Sequence, residues 1–279
     1  MHKKLSLLLF LLIGPQPNNG NWKLFAGTAI AASAITGLTW HHFKSKKDTR
    51  TIYNEDQLQK FSNDLNAGKK IALVSDLHEV VLKRLSGDLQ RARNLTFPEF
   101  TKFLGGIFQF GPCYLSYKAF GSTHPAIENF VLTGISDKTH KEHVLQLICP
   151  FELDEDMHDL YKNHLPFPKF ACSNSGEESY NWLNDKSNGK LDELFLDKQI
   201  ATQKNGFLQK DREETFDELL KKMQAAGVNP KAILMVDDKA KNIKKCAETF
   251  KKHGITVYGY IFKTTDEFKA DMKKHGISS

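Results

Sequence analysis

A few residues of this 279-residue chain stand where chemistry can be done. Asp76 closes the apolar run Ile71-Ala72-Leu73-Val74-Ser75, and Asp237-Asp238 close Ala232-Ile233-Leu234-Met235-Val236. Ser173-Asn174 end a third run, Phe170-Ala171-Cys172. Carboxylates on two strands, converging at one sheet edge, suit a hard divalent cation such as Mg²⁺, which takes a few carboxylates together with water and substrate phosphate. A Ser hydroxyl and a Lys ammonium at the same edge suit the oxygens of a phosphoryl group. Asp76 is placed to attack phosphorus itself, because carboxylates form aspartyl-phosphate intermediates.

Such a convergence needs a particular scaffold. Short, wholly apolar runs fit strands buried on both faces of a parallel sheet. A fourth run of this kind, Ile255–Phe262, lacks a terminal acid. Helical stretches are predicted at Asn54–Asn66, Asp154–Asn163, Thr215–Ala226 and Ala240–His253, the last stopped by Gly254. Strand and helix in alternation indicate an α/β fold, a Rossmann-like parallel sheet with helices on both faces. In such sheets ligands bind beyond the carboxyl ends of the strands, where Asp76, Ser173-Asn174 and Asp237-Asp238 stand.

These residues resemble the four motifs of the haloacid dehalogenase (HAD) superfamily of Mg²⁺-dependent phosphohydrolases, over about residues 70–262. Motif one reads Asp76-Leu77-His78-Glu79-Val80-Val81, motif two Cys172-Ser173-Asn174, and motif three Lys210-Asp211 with Phe216 behind it. Motif four reads Val236-Asp237-Asp238 with Asn242-Ile243. The resemblance implies that Asp76 is the nucleophile and a ligand of Mg²⁺, with Asp237 and Asp238 as further ligands and the main-chain carbonyl of His78 completing the set. It implies that Ser173, Asn174 and Lys210 bind the phosphoryl group. The usual motif has a second Asp, which protonates the leaving oxygen and activates water. Here that position holds His78, and an imidazole both gives and takes protons near neutrality. Glu79 stands where Gly is usual. The function expected is hydrolysis of a small phosphorylated molecule, the alternative being a catalytically weak HAD-fold binding or regulatory protein at a membrane.

Residues 85–150 interrupt the alternation, and the expected division is a core of residues 51–84 and 151–279 carrying a helical cap, 85–150. The insert takes the place of the cap that selects substrates in the superfamily. Six of the chain's 20 Phe fall within Phe97–Phe120, beside Tyr114 and Tyr117, as in the core of a small helical subdomain.

The net charge of +6 belongs to the first fifty residues, which hold seven basic side chains and one acidic one; the other 229 residues carry 32 of each sign. A neutral body is a poor match for nucleic acid, whose binding needs clustered cations. The leader has an apolar run, Leu5–Ile13, of signal-peptide size, then Leu24–Phe43 without Asp, Glu, Lys or Arg. Lys44, Lys46, Lys47 and Arg50 follow and favour a cytoplasmic side for the rest. A membrane tether through residues 5–43 is expected, with export after leader cleavage as the alternative. Four cysteines without C-x-x-C spacing are compatible with a reducing compartment.

Overall fold

In the computed structural model the described residues are 47–85, 141–142, 145, 149, 151–202, 205–206 and 208–278. The apolar runs of the leader, the Phe-rich stretch and almost all of the expected cap lie outside them. Among the described residues no helix is long and apolar enough to cross a membrane. Contacts divide the chain between residues 52 and 53, and the sheet and the site lie in the second unit.

Five strands form one parallel sheet: β1 (Ile71–Ser75), β4 (Lys169–Gly176), β5 (Asp197–Ala201), β6 (Ala232–Asp237) and β7 (Thr256–Ile261). Their order is β5-β4-β1-β6-β7, so β1 is central, with β4 and β6 at its sides. Two short strands, β2 (Leu82–Arg84) and β3 (Phe151–Leu153), pair antiparallel outside this sheet. The helices are α1 (Lys47–Asn66), α2 (Glu155–Asp159), α3 (Glu177–Lys186), α4 (Lys190–Leu194), α5 (Glu213–Ala225), α6 (Ala240–Lys252) and α7 (Thr265–Lys274). A π-helical turn, Leu160–His164, continues α2.

Side chains alternate across each strand and so build two cores. Ile71, Leu73, Leu234 and Val236 pack with Leu58 and Phe61 of α1, Tyr161 of the π turn and Phe268 of α7. Ala72, Val74, Ile233 and Met235 pack on the other face with Phe216 and Leu219 of α5 and Cys246 and Phe250 of α6. The sheet is covered on both sides, as wholly apolar strands require.

Strand β7 is an edge, and its outward main chain would be unpaired without cover. Asn54 of α1 supplies it: its Nδ2 donates to the Ile261 carbonyl at 3.1 Å and its Oδ1 accepts from the Ile261 N–H at 2.9 Å. This close approach needs Gly259, where a Cβ would run into Ile243 Cγ2 and Tyr53 Oη. Gly259→Ala is therefore expected to cost about 1–3 kcal/mol of stability by overpacking, read as a lower urea midpoint at unchanged slope.

Insertion of the expected cap is framed by β2 and β3, whose register pairs Arg84 with Phe151. Chain leaving at residue 85 and returning at 150 thus starts and ends between neighbours.

Candidate active site

Asp76 follows β1 directly, its N–H held by the Val236 carbonyl at 2.8 Å, which ties it to β6. Asp237 is the last residue of β6. With Asp238 these two form a group in which one carboxylate oxygen from each lies within 4.8 Å of the others. Asp76 and Asp237 are 4% and 0% exposed, and the Asp238 side chain 19%.

Lys210 joins them from a loop. Its Nζ lies 2.6 Å from Asp76 Oδ2 and 2.6 Å from Asp237 Oδ2, and the residue is 1% exposed. Burial alone would pull its proton off, but the charges of Asp76 and Asp237 outweigh burial and hold its pKa above the ordinary lysine value. Lys239 pairs with Asp238 at 2.9 Å, and here too the carboxylate outweighs burial and raises the pKa. Three carboxylates against two ammonium groups leave one negative charge. A dication fits this all-oxygen group and would turn it net positive, the sign that a phosphate dianion requires.

Asp237 is unusually well supplied with donors. Its Oδ1 accepts from the Lys239 N–H at 2.8 Å and from Asn242 Nδ2 at 2.9 Å, while Oδ2 takes Lys210 and a longer contact of 3.1 Å from Asn242. These donors hold the carboxylate in one orientation at the end of β6.

Ser173, on β4, is buried, and its Oγ accepts from the Ser175 N–H at 3.2 Å. The β4–β5 register shifts between Cys172 and Gly176, so the strand is irregular where it meets the site. Asn174 follows, and its side-chain oxygen accepts from the main-chain N–H of Lys210 at 2.8 Å.

His78 lies in the turn after Asp76. Its ring sits beside Phe151, with centroids 4.4 Å apart, and Nε2 is 3.5 Å from Ser175 Oγ and 3.7 Å from Cys149 Sγ. The imidazole thus lies between the end of β4 and the strand that returns from the insert, and its ring is not part of the three-carboxylate group. Next to it Glu79 adopts φ 61°, the left-handed conformation that glycine takes up at no steric cost. The chain makes this turn without glycine, at a cost of about 1 kcal/mol.

Their place after strands marks Asp76, Asp237 and Asp238, the resemblance marks Lys210, and the fold brings the four together. Asn242, quoted above within motif four, grips Asp237 from the first turn of α6. Further supporting residues stand outside the motifs. Tyr161, on the π turn, meets Ser75 Oγ at 2.9 Å, and Ser75 donates to the Asp76 carbonyl at 2.8 Å. Cys149 comes from the far side of the insert, and no local pattern marks it.

A family model described as a protein of unknown function (DUF2608) matches residues 149–277. Nothing among curated proteins matches the chain. Among solved structures it is similar to a HAD family enzyme from Bacteroides thetaiotaomicron in complex with magnesium and inorganic phosphate, with 14% identity, 71% of this chain and 98% of that one covered, and a TM-score of 0.43. A predicted HAD-like family hydrolase from Porphyromonas gingivalis gives 15% identity, coverage of 73% and 97%, and a TM-score of 0.45. Cytosolic 5'-nucleotidase IIIB bound to cytidine gives 11% identity, coverage of 79% and 91%, and a TM-score of 0.40.

Proposed function

We propose that this HAD-like chain is a Mg²⁺-dependent phosphohydrolase that uses Asp76 as its nucleophile on a small phosphorylated molecule. The observation that supports this most is the meeting of Asp76, Asp237 and Asp238 within 4.8 Å, with Lys210 2.6 Å from two of them. Mg²⁺ held by these carboxylates and the His78 main-chain carbonyl would supply positive charge to the non-bridging phosphoryl oxygens.

The chain's own residues divide the rest of the work. Asp76 attacks phosphorus and forms an acyl phosphate while the alcohol departs; water then cleaves that intermediate to inorganic phosphate and restores the carboxylate. Ser173 donates its hydroxyl to a phosphoryl oxygen, and Lys210 offsets the charge that gathers there. His78 gives a proton to the leaving oxygen and takes one from the attacking water. Access is governed by the insert between β2 and β3, and residues 5–43 tether the domain to a membrane; the sequence pattern supports both readings.

Leaving-group chemistry tests the role of His78. A poor leaving group needs its proton, whereas p-nitrophenolate departs without one. His78→Asn is expected to lower kcat on an alkyl phosphate by roughly 10²–10⁴-fold, and on p-nitrophenyl phosphate far less. Equal losses on both substrates would remove His78 from proton transfer.

A further inference from the structure

Lys210 differs from the other principal residues of the site in its origin. Asp76, Ser173 and Asp237 stand on or just beyond strands of the sheet, which fix their positions, whereas Lys210 comes from the loop between β5 and α5. Yet its ammonium is wedged between two buried carboxylates at 2.6 Å from each. Something other than a strand must hold its main chain.

A single peptide group does so. The N–H of Lys210 donates to Asn174 Oδ1 at 2.8 Å, and the carbonyl at the other end of the same peptide unit, that of Gln209, accepts from Thr215 Oγ1 and from the Arg212 N–H at 2.9 Å. A peptide unit is planar, so fixing both its ends fixes the direction in which the next side chain departs. Gln209 and Thr215 are buried, and Thr215 lies in the first turn of α5, with its neighbour Phe216 in the core. Asn174 belongs to β4. The clamp therefore joins the loop to the sheet on one side and to a helix on the other.

We propose that Asn174 and Thr215 are positioning residues that clamp the 209–210 peptide and so set Lys210 between Asp76 and Asp237. For Asn174 this gives the amide oxygen its own task, on the Lys210 N–H, and leaves the two Nδ2 donors for a phosphoryl oxygen. The proposal rests on the phosphohydrolase reading for its kinetic consequence, but its geometric content stands apart from it.

Two readouts on the full chain test it. Thr215→Val keeps the shape and removes the hydroxyl, and Thr215→Ser restores it. Misplacement by an ångström costs about 10²-fold in rate, so Thr215→Val and Asn174→Leu are each expected to lower kcat on p-nitrophenyl phosphate by roughly 10- to 100-fold, with little change in inhibition by inorganic phosphate in Thr215→Val and with most activity kept in Thr215→Ser. Combined with Lys210→Met, Thr215→Val should not lower kcat further, the non-additivity of residues that act through one group. Separately, labelling of Lys210 by trinitrobenzenesulfonate, followed by mass spectrometry, should be slow in the wild type and several-fold faster in both variants. Unchanged labelling in the two variants would overturn the clamp, as would full additivity of Thr215→Val with Lys210→Met. A wild type without phosphatase activity whose variants still label faster would sink the phosphohydrolase reading and leave the clamp standing.

Discussion

Asp76→Asn is expected to lower kcat on p-nitrophenyl phosphate by roughly 10⁴-fold or more, the scale on which loss of an enzymic nucleophile is felt. Amide and carboxylate have the same shape, and the amide retains an oxygen for the Leu77 N–H, which Asp76 Oδ1 accepts at 2.7 Å. The variant keeps the Lys210–Asp237 pair, so its fold should survive, and circular dichroism melts beside the wild type would show this. What it loses is the nucleophile, since an amide does not form an acyl phosphate. Rates for wild type and variant, with and without Mg²⁺, decide the matter. Equal rates would mean that Asp76 is no nucleophile, leaving a binding module as the better reading.

Lys210→Met is expected to have the largest effect on stability, and Mg²⁺ to reverse much of it. Without the ammonium, Asp76 and Asp237 face one another in a buried site with no shared counter-charge, and stripping one partner from a buried ion pair costs about 3–5 kcal/mol. For a domain of this size that is on the order of 10 °C in Tm. The sign with pH follows from the raised pKa of Lys210. A raised lysine contributes its full stability below the ordinary lysine pKa and loses it only as pH climbs through the folded value, so the penalty should be flat across the neutral range. With the bridging ammonium gone, a cation bound by these carboxylates takes over its charge compensation. Mg²⁺ binding to the folded form should then raise the Tm of Lys210→Met by more than it raises that of the wild type. Thermal melts with and without millimolar Mg²⁺ measure this, and an equal or smaller shift in the variant would refute the exchange.

What could be read in advance follows from how each residue is placed. Strands β1 and β6 are buried on both faces, so they read as unbroken apolar runs, and the polar residue that ends each announces itself. Strand β5, Asp197–Ala201, lies at the sheet edge and has the sequence DKQIA, too polar to be recognised. Helices α3 and α4 carry little sequence signal: their apolar positions (Tyr180 and Leu183, Leu191 and Leu194) are few and their turns short. The expected helix Asp154–Asn163 is in fact α2 with Asp154 as its N-cap, its side chain accepting from Asp156 and Met157 N–H groups, and a π turn that brings Tyr161 to Ser75. Helix α1 starts earlier than the apolar spacing suggested, at Lys47. Strand order, and with it the meeting of residues 76, 173, 210 and 237, is a property of the sheet as a whole and has no local trace.

The site shows the same division. Asp76, Asp237 and Asp238 were legible as carboxylates after strands, and Lys210 chiefly through a resemblance. The surroundings of His78, by contrast, are made by Cys149, Phe151 and Ser175, which come from two separate segments. Such an environment exists only after folding.

Pairing of Arg84 with Phe151 has one more consequence. Where the two ends of an excursion are already cross-strand neighbours, the sheet experiences it as a closed loop, and loop closure grows only logarithmically, by about 0.6 kcal/mol for each doubling of length. The scaffold is therefore nearly indifferent to how much chain hangs from that junction. Chain between residues 85 and 140 can thus be lengthened or shortened while Asp76, Lys210 and Asp237 keep their places, and, on the proposed reading of the insert as the substrate-selecting part, recognition and reaction change at different tempos.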